Sequence, residues 1–371
     1  MRIGIDARLI HQTGVGRYLR NLIDELMNLD RKNEYYLYLS GKDFDSIYLK
    51  NKLWSKRRTD VPWHSVSEQI FFPKMLFADK LDLVHFPYFS VPILYPKRFV
   101  LTVHDLIVDH FSTGKASTLV FPRYILKRLG YRITLSSALY RCFKVFVISN
   151  TTKDELIHHY GIEKDKIVVT YDALDANFQK TRLNGSKKKY YTFDYILYVG
   201  NAYPHKNLER LIQAFSIVRK TRNIKLVLAG DDKYFYPRLK KYSNEIGMEA
   251  DIIFFGEAND RQLISLYSQC SCLVFPSLME GFGLPNLEVL SCHKFPVASN
   301  IPVFREIWKD TLEYFDPNSV YSMAKAILKV LSWSSATYKD KVNLARKIVE
   351  KYSWKKTASK TLVTYENSFR I

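Results

Sequence analysis

The sequence lacks the features of a membrane-spanning protein and of a disulfide-bonded one. No segment reaches the roughly 18 uninterrupted apolar residues that a transmembrane helix needs. Asp6 and Arg8 interrupt the apolar core that a signal peptide would need. The few cysteines have no zinc-ligand spacing: Cys142, Cys270, Cys272 and Cys292. We therefore expect a soluble or peripheral protein of the reducing cytoplasm, with buried thiols.

Motifs for a dinucleotide and for a metal-bound diphosphate are also missing. Gly14-Val15-Gly16 joins the first predicted strand to the first helix, but a dinucleotide fingerprint needs GxGxxG, and the third residue after Gly16 is Leu19. The single Asp-x-Asp is Asp43-Phe44-Asp45, in a charged loop that we expect to face solvent. We expect neither a bound metal ion nor a cofactor.

What the chain does have is length and a regular alternation of strands and helices. At 371 residues it exceeds what one hydrophobic core usually supports, so two domains are expected. Strands are predicted near 2–6, 35–40, 82–86, 98–103 and 143–148, and again near 195–200, 224–229, 252–255, 272–275 and 296–298. Helices are predicted from Arg17 and over 67–78, 117–139, 151–160, 206–220, 259–269 and 286–292. This α/β alternation predicts parallel sheets. The predicted domains are 1–180 and 190–355, joined by the polar stretch Thr181–Lys189.

Residues 276–292, PSLMEGFGLPNLEVLSC, carry the most chemical information. Gly281 and Gly283 let the backbone approach a ligand, and Pro285 stands in the first turn of a helix whose free N–H groups bind phosphate. Glu280 and Glu288 flank this site, and because a carboxylate repels phosphate, their expected partners are sugar and ribose hydroxyls. The alternative is a strand–turn–helix joint with solvated glutamates.

That stretch resembles the signature of glycosyltransferase family 4, retaining enzymes of the GT-B fold whose two glutamates are likewise separated by seven residues. Four further segments resemble the family in the expected order: MRIGIDARLIHQTGVGRYLRNLIDEL, LTVHDL, YVGNAYPHKNLERLIQAF and KYSWKKTASKTLVTYENSF. The resemblance implies two facing Rossmann-like domains with a cleft between them. It also implies a C-terminal helix, residues 356–371, that returns to the N-terminal domain.

The resemblance assigns roles to several strand-end residues. His104 would lie beside the donor sugar and support charge near the anomeric carbon, although an isolated strand-end histidine is more often structural. Lys206 would clamp the leaving diphosphate, the alternative being a surface lysine. Many members carry an arginine just after the strand glycine, where this chain has Asn201, with His205 beside the lysine. Phosphate contacts would therefore be distributed differently here.

Within the implied donor site, Glu280 would contact hydroxyls of the transferred sugar and Glu288 those of the ribose. The backbone of the glycine-rich turn would complete the sugar and phosphate pocket: Gly281, Phe282, Gly283 and Leu284. Gly14 and Gly16 resemble the family's glycine-rich loop near the donor diphosphate and the acceptor, and Gly230 and Gly256 would line the nucleobase site. Plain turns are the alternative for these four.

The implied activity is metal-independent, retaining transfer of a hexose from a GDP- or UDP-linked donor to a hydroxyl of a glycan acceptor. The acceptor would attack from the face that the phosphate leaves, with a phosphate oxygen taking its proton; a double displacement stays open. The HDL and GVGRY segments most resemble mannosyltransferase members, which favours GDP-mannose. A sugar-nucleotide epimerase of the same architecture is the alternative, and it would need no acceptor.

The charge distribution bears on the acceptor. The net charge is +19, and no carboxylate occurs between Asp109 and Asp154. That region interleaves apolar residues with cations: Lys115, Arg123, Lys127, Arg128, Arg132, Arg141, Lys144 and Lys153. A basic helix with apolar residues can lie on an anionic membrane surface.

We predict a peripheral enzyme on the inner face of the plasma membrane, bound through residues 115–153. It would extend a polyprenyl-diphosphate-linked glycan for bacterial surface polysaccharide: O-antigen, capsule or exopolysaccharide. A generic solubilising charge is the alternative, and nucleic acid is not expected because no reading module is present.

Overall fold

The chain folds into two compact units, each built on one parallel sheet. The computed structural model describes residues 1–111, 121–183 and 188–369. One unit comprises Met1–Leu106, Leu119–Asp172 and Ser353–Ile371, and the other comprises Ala173–Tyr352 with the segment Ile107–Thr118. The chain thus leaves the first unit after Asp172, earlier than the predicted linker, and a helix covers the first three residues of that predicted linker.

The first unit contains a seven-stranded parallel sheet in the order β3-β2-β1-β4-β5-β6-β7. Its five inner strands are nearly all buried, as expected when helices cover both faces of a parallel sheet, whereas the edge strands β3 and β7 are partly exposed. The strands are β1 (Arg2–Asp6), β2 (Glu34–Leu39), β3 (Trp54–Arg58), β4 (Leu83–Phe86), β5 (Phe99–Val103), β6 (Val145–Val147) and β7 (Ile167–Val169). The helices of this unit, apart from the C-terminal one, are α1 (Gly14–Leu29), α2 (Gly41–Phe44), α3 (Val66–Ala78), α5 (Phe121–Arg141) and α6 (Asn150–Tyr160). The short helix α4 (Ile107–His110) lies between β5 and α5 in the chain but belongs to the second unit.

The second unit contains a six-stranded parallel sheet in the order β10-β9-β8-β11-β12-β13. Its strands are β8 (Tyr195–Val199), β9 (Lys225–Ala229), β10 (Ile252–Gly256), β11 (Cys272–Phe275), β12 (Pro296–Ser299) and β13 (Glu313–Phe315). Its helices are α7 (Ala176–Leu183), α8 (Leu208–Thr221), α9 (Phe235–Glu245), α10 (Asp260–Gln269), α11 (Leu284–Ser291), α12 (Pro302–Trp308), α13 (Val320–Leu331) and α14 (Ser335–Val349). All four cysteines are buried free thiols, as predicted.

The last helix, α15 (Trp354–Asn367), belongs to the first unit and packs on α1. The Trp354 ring meets the edge of Tyr18, with centroids 6.0 Å apart, and the Tyr365 hydroxyl lies 2.6 Å from His85 Nδ1. The predicted return of the C-terminal helix to the N-terminal domain is therefore confirmed.

Two local predictions were wrong. Helix α1 begins at Gly14, so Gly14 and Gly16 lie in its first turn and not in the preceding loop. A side chain at Gly16 would place Cβ 2.6 Å from the Ile10 carbonyl oxygen, whereas Gly14 has open space around it. Asp43 does not face solvent, because it is buried on α2 and accepts a hydrogen bond from Ser40.

Candidate active site

Glycines line the carboxyl ends of three adjacent strands in the second unit. Gly200 follows β8, Gly230 follows β9 and Gly256 ends β10, with φ of 147°, 153° and 83°. A Cβ on Gly230 would lie 1.9 Å from the Gly200 carbonyl oxygen. Only glycine at position 230 permits the two backbones to come this close. The glycines also leave the backbone uncovered by side chains at the edge where parallel α/β sheets bind ligands.

The predicted cation and carboxylate meet at the same edge of this sheet. Lys206 Nζ lies 2.5 Å from Glu280 Oε1, and the two side chains are only 15% and 10% exposed. Ser277 Oγ donates to the same Glu280 oxygen at 2.6 Å. Both of these contacts are made by Oε1 of the carboxylate. The ion pair offsets the charge of Glu280 and lowers its repulsion toward an anionic ligand.

A buried asparagine and a backbone hydrogen bond hold together the two loops that carry this pair. Asn207 has a left-handed φ of 61° and is buried, and its Nδ2 donates to the carbonyl oxygen of Pro276 at 3.0 Å. The Leu278 N–H donates to the His205 carbonyl at 2.7 Å. Burial, and then Lys206, lowers the pKa of His205 to about 4. Its ring is neutral at pH 7, so Lys206 is the cation of this loop.

Helix α11 begins as the sequence predicted, with Pro285 in its first turn. Gly283 precedes it with φ 93°, and a Cβ there would lie 2.6 Å from the Phe304 ring. Phe282 is buried and meets the edge of Tyr352, with centroids 5.4 Å apart. Glu288 is also buried, and its Oε2 accepts from the Tyr267 hydroxyl at 2.7 Å. Tyr267 therefore orients the carboxylate predicted to contact ribose.

Two asparagines carry buried polar atoms that have no hydrogen-bond partner among the described residues. In Asn201, which follows β8, the unpaired atom is Oδ1. In Asn286, which is fully buried in the first turn of α11, both Oδ1 and Nδ2 are unpaired. An unpaired buried polar group costs about 1–3 kcal/mol, so such atoms mark places where a ligand could supply a partner. Sequence reasoning singled out Asn201 but missed Asn286, because only the fold shows its burial.

His104 follows β5 in the first unit and is buried. Its Nε2 lies 2.9 Å from the Pro87 carbonyl oxygen, which requires a proton on Nε2 and leaves Nδ1 as an acceptor. Burial lowers the pKa of His104 to about 4. The ring is therefore neutral at pH 7, and Tyr18 packs edge-on against it with centroids 4.9 Å apart.

Tyr18, which packs on His104, begins a series of buried hydrogen bonds that the sequence did not predict. The Tyr18 hydroxyl is 3.1 Å from Thr102 Oγ1, which is 2.7 Å from His85 Nε2. The Nδ1 atom of His85 then meets Tyr365 of α15. The spacing of these residues in the sequence does not predict these hydrogen bonds, because the last residue, Tyr365, comes from the C-terminal helix.

The described parts of the chain contain no group of three or more metal-ligating side chains placed to hold an ion. Over the same residues, no helix is long and apolar enough to cross a membrane.

Two Rossmann-like units with a glycine-lined strand edge and an ion pair in the second define a GT-B glycosyltransferase. A family model described as Glycosyltransferase Family 4 matches residues 12–178, and one described as Glycosyl transferases group 1 matches residues 179–348. Together they span most of the chain, which belongs to this glycosyltransferase family.

Relatives and solved structures agree with that assignment. The chain is 25% identical to the O-antigen chain mannosyltransferase RfbU of Salmonella typhimurium over 76% of this chain and 74% of that protein. It is 26% identical to the O-antigen chain mannosyltransferase B of Escherichia coli over 95% and 96% of the two chains. Anabaena HepE, solved with UDP and glucose, shares the fold with a TM-score of 0.71 at 15% identity, covering 99% of both chains. The two relatives from Salmonella typhimurium and Escherichia coli are transferases, which disfavours the epimerase alternative.

Proposed function

We propose that this protein is a retaining, metal-independent mannosyltransferase. It would move mannose from GDP-mannose to a hydroxyl of a polyprenyl-diphosphate-linked glycan, in the assembly of an O-antigen or a related bacterial surface polysaccharide. The observation that carries the proposal is the Lys206–Glu280 ion pair beside the glycine-lined strand ends of the second unit. Two relatives of this chain are O-antigen chain mannosyltransferases, which supports the choice of sugar and of pathway.

The residues divide the chemistry between charge and hydroxyl recognition. Lys206 and the backbone amides of Gly281–Leu284 would stabilise the diphosphate as its bond to the sugar breaks, without a metal ion or another cofactor. Glu280 Oε2 would accept a hydrogen bond from a sugar hydroxyl. Glu288, which Tyr267 holds in place, would accept a hydrogen bond from a ribose hydroxyl. The neutral His104 would accept a hydrogen bond from a sugar hydroxyl at Nδ1. An acceptor hydroxyl would attack from the face that the phosphate leaves, and a phosphate oxygen would take its proton.

Helix α5 supports a peripheral membrane location on the inner face of the plasma membrane. Its apolar residues Ile125, Leu126, Leu129 and Ile133 are 48%, 69%, 55% and 50% exposed. Their spacing places them on one side of the helix, with the exposed Arg132 beside them, whereas the exposed Lys127 lies toward the opposite side. An exposed apolar stripe with an adjacent cation is typical of a helix that lies in the headgroup region of an anionic bilayer.

The test combines donor binding with transfer. Purified protein is screened by thermal shift against GDP-mannose, UDP-glucose, GDP and UDP, and a ligand present at 100 times its Kd stabilises the fold by about 2.7 kcal/mol. Transfer of labelled mannose to a synthetic polyprenyl-diphosphate glycan is then assayed with EDTA present. Lys206→Met should lose transfer, and Lys240→Met, which removes an exposed cation of α9, should not. Stabilisation by no nucleotide sugar, or full activity of Lys206→Met, would refute the proposal.

A further inference from the structure

An aromatic cluster lies at the carboxyl end of the first sheet, next to His104. It consists of Trp63, His64, Tyr88, Phe89 and Tyr131. Centroid distances link these rings without a break: Trp63 to His64 4.6 Å, His64 to Phe89 4.9 Å, Tyr88 to Phe89 4.0 Å and Phe89 to Tyr131 4.8 Å. The cluster thus joins the loops after β3 and β4 to helix α5.

The cluster is accessible from outside. Trp63 is 44% exposed, His64 is exposed, and the other three rings are half-buried. Trp63 contrasts with Trp54, Trp308 and Trp354, which are almost fully buried. An exposed group of large rings bordered by polar residues marks an interaction site more often than a packing defect.

Buried ion pairs fix the position of these loops. The Glu68 carboxylate is 1% exposed and lies 2.5 Å from Arg8, which also pairs with Asp6 at 2.6 Å. Glu68 accepts hydrogen bonds from Ser90 Oγ at 2.8 and 2.7 Å and from the His64 N–H at 3.0 Å. One carboxylate therefore ties the loop of Trp63 to the loop of Tyr88, and the rings are held in place before any ligand arrives.

The position and the chemistry of the cluster favour a carbohydrate as its occupant. At one end the Tyr88 ring is 6.5 Å from the His104 ring, and at the other end Tyr131 lies on α5, the helix with the exposed apolar stripe. A sugar ring has an apolar face of C–H groups and a rim of hydroxyls, which matches flat aromatic faces that carry polar tips. A lipid chain would instead favour an uninterrupted aliphatic surface.

We propose that the aromatic cluster is the acceptor subsite, on which pyranose rings of the acceptor glycan stack between α5 and His104. This inference rests on the proposed function, because it assigns a place to the acceptor of that reaction. It adds the residues that would select the acceptor, of which Trp63 is the most exposed.

The test uses the full chain and substitutions at Trp63. In transfer assays, Trp63→Ala should raise the acceptor KM at least tenfold, while the donor KM and kcat change less than twofold. Trp63→Phe should restore most of the acceptor affinity, because it keeps a flat ring. Tyr48→Ala is the matched control, since Tyr48 is an 81% exposed ring of the same unit outside the cluster. An acceptor KM unchanged in Trp63→Ala, or raised equally in Tyr48→Ala, overturns the inference.

A second readout does not depend on transfer. The fluorescence of the wild type and of Trp63→Phe is titrated with α-mannotetraose, maltotetraose and chitotetraose at millimolar concentration. At least one tetrasaccharide should change the emission of the wild type, and that change should be absent in Trp63→Phe. If no donor supports transfer but this signal is present, the proposed function fails and the subsite stands. If transfer occurs and none of the three glycans changes the Trp63 signal, the subsite is refuted.

Discussion

The first six strands of the first unit have the same order as the six strands of the second, but different residues lie at the carboxyl ends of the strands in the two units. In the second unit those ends carry glycines with positive φ and the Lys206–Glu280 pair. In the first unit they carry aromatic rings, the neutral His104 and a buried network around Arg8. Bare backbone with a cation suits a phosphate, whereas rings with neutral acceptors suit a carbohydrate. The two units therefore differ in the loops and helices beside these strand ends and not in the order of their strands.

The largest expected effect tests the glycine-lined edge of the second unit. Gly230→Ala should destabilise the protein by more than about 3 kcal/mol, because Cβ would clash with the Gly200 carbonyl in addition to the cost of the positive φ. Gly247→Ala is the matched control, with φ 69° and open space around it, and should cost about 1–2 kcal/mol. Chemical denaturation of both variants measures the difference. Equal losses would show that close approach of the two strand ends is unimportant.

The next effect separates the two roles of Glu280. Glu280→Gln should lower kcat about 100-fold, through loss of a charged sugar contact. The same change frees Lys206 from its anionic partner, so GDP should bind up to about tenfold more tightly, or 1.4 kcal/mol. Calorimetric titration with GDP and steady-state kinetics measure the two quantities. Glu245→Gln, which breaks the exposed pair with Lys241, should change neither. Weaker GDP binding by Glu280→Gln would contradict the assigned electrostatics.

A third prediction concerns a buried carboxyl of the first unit. Burial raises the pKa of Asp172 to about 8, and its Oδ1 has no hydrogen-bond partner in the described part of the chain. The folded-state pKa lies above the unfolded value of about 3.9, so stability is lost as pH rises between these two values, by about 1.4 kcal/mol per pH unit. Asp172→Asn removes this dependence and should therefore raise the melting temperature at pH 8 more than at pH 5. Melting curves of the two proteins that shift in parallel with pH would contradict the assignment.

The smallest effect concerns helix α5. Lys127→Glu with Arg132→Glu should weaken binding to vesicles that contain phosphatidylglycerol, because each cation near the headgroups contributes about 1 kcal/mol. Lys240→Glu with Lys325→Glu changes the net charge equally at exposed positions of the second unit. Vesicle sedimentation at low salt compares the two double variants. Equal binding by both would mean that the net charge, and not α5, attracts the membrane.

Most elements were predictable from the sequence because each has a local cause. The apolar runs of β8 and β11 match their predicted ranges closely, and α11 begins where Pro285 stands in its first turn. The sequence did not predict strand β3, Trp-Ser-Lys-Arg-Arg, because three consecutive cationic residues are not typical of a buried strand. It lies at the sheet edge, where Arg57 pairs with Asp79 at 2.7 Å and packs over Tyr36. Only tertiary contacts make that segment a strand.

The architecture, the family and the residue types of the predicted donor site follow from the amino-acid sequence, because they depend on periodicity and on motifs within short segments. The tertiary structure alone decided which side chains meet. Lys206 and Glu280 are distant in the chain and form an ion pair. Trp63 reaches the His104 side of the sheet because a buried Glu68 ties two loops together. Burial also set the protonation of His104 and Asp172, because desolvation depends on the packed neighbours and not on adjacent residues.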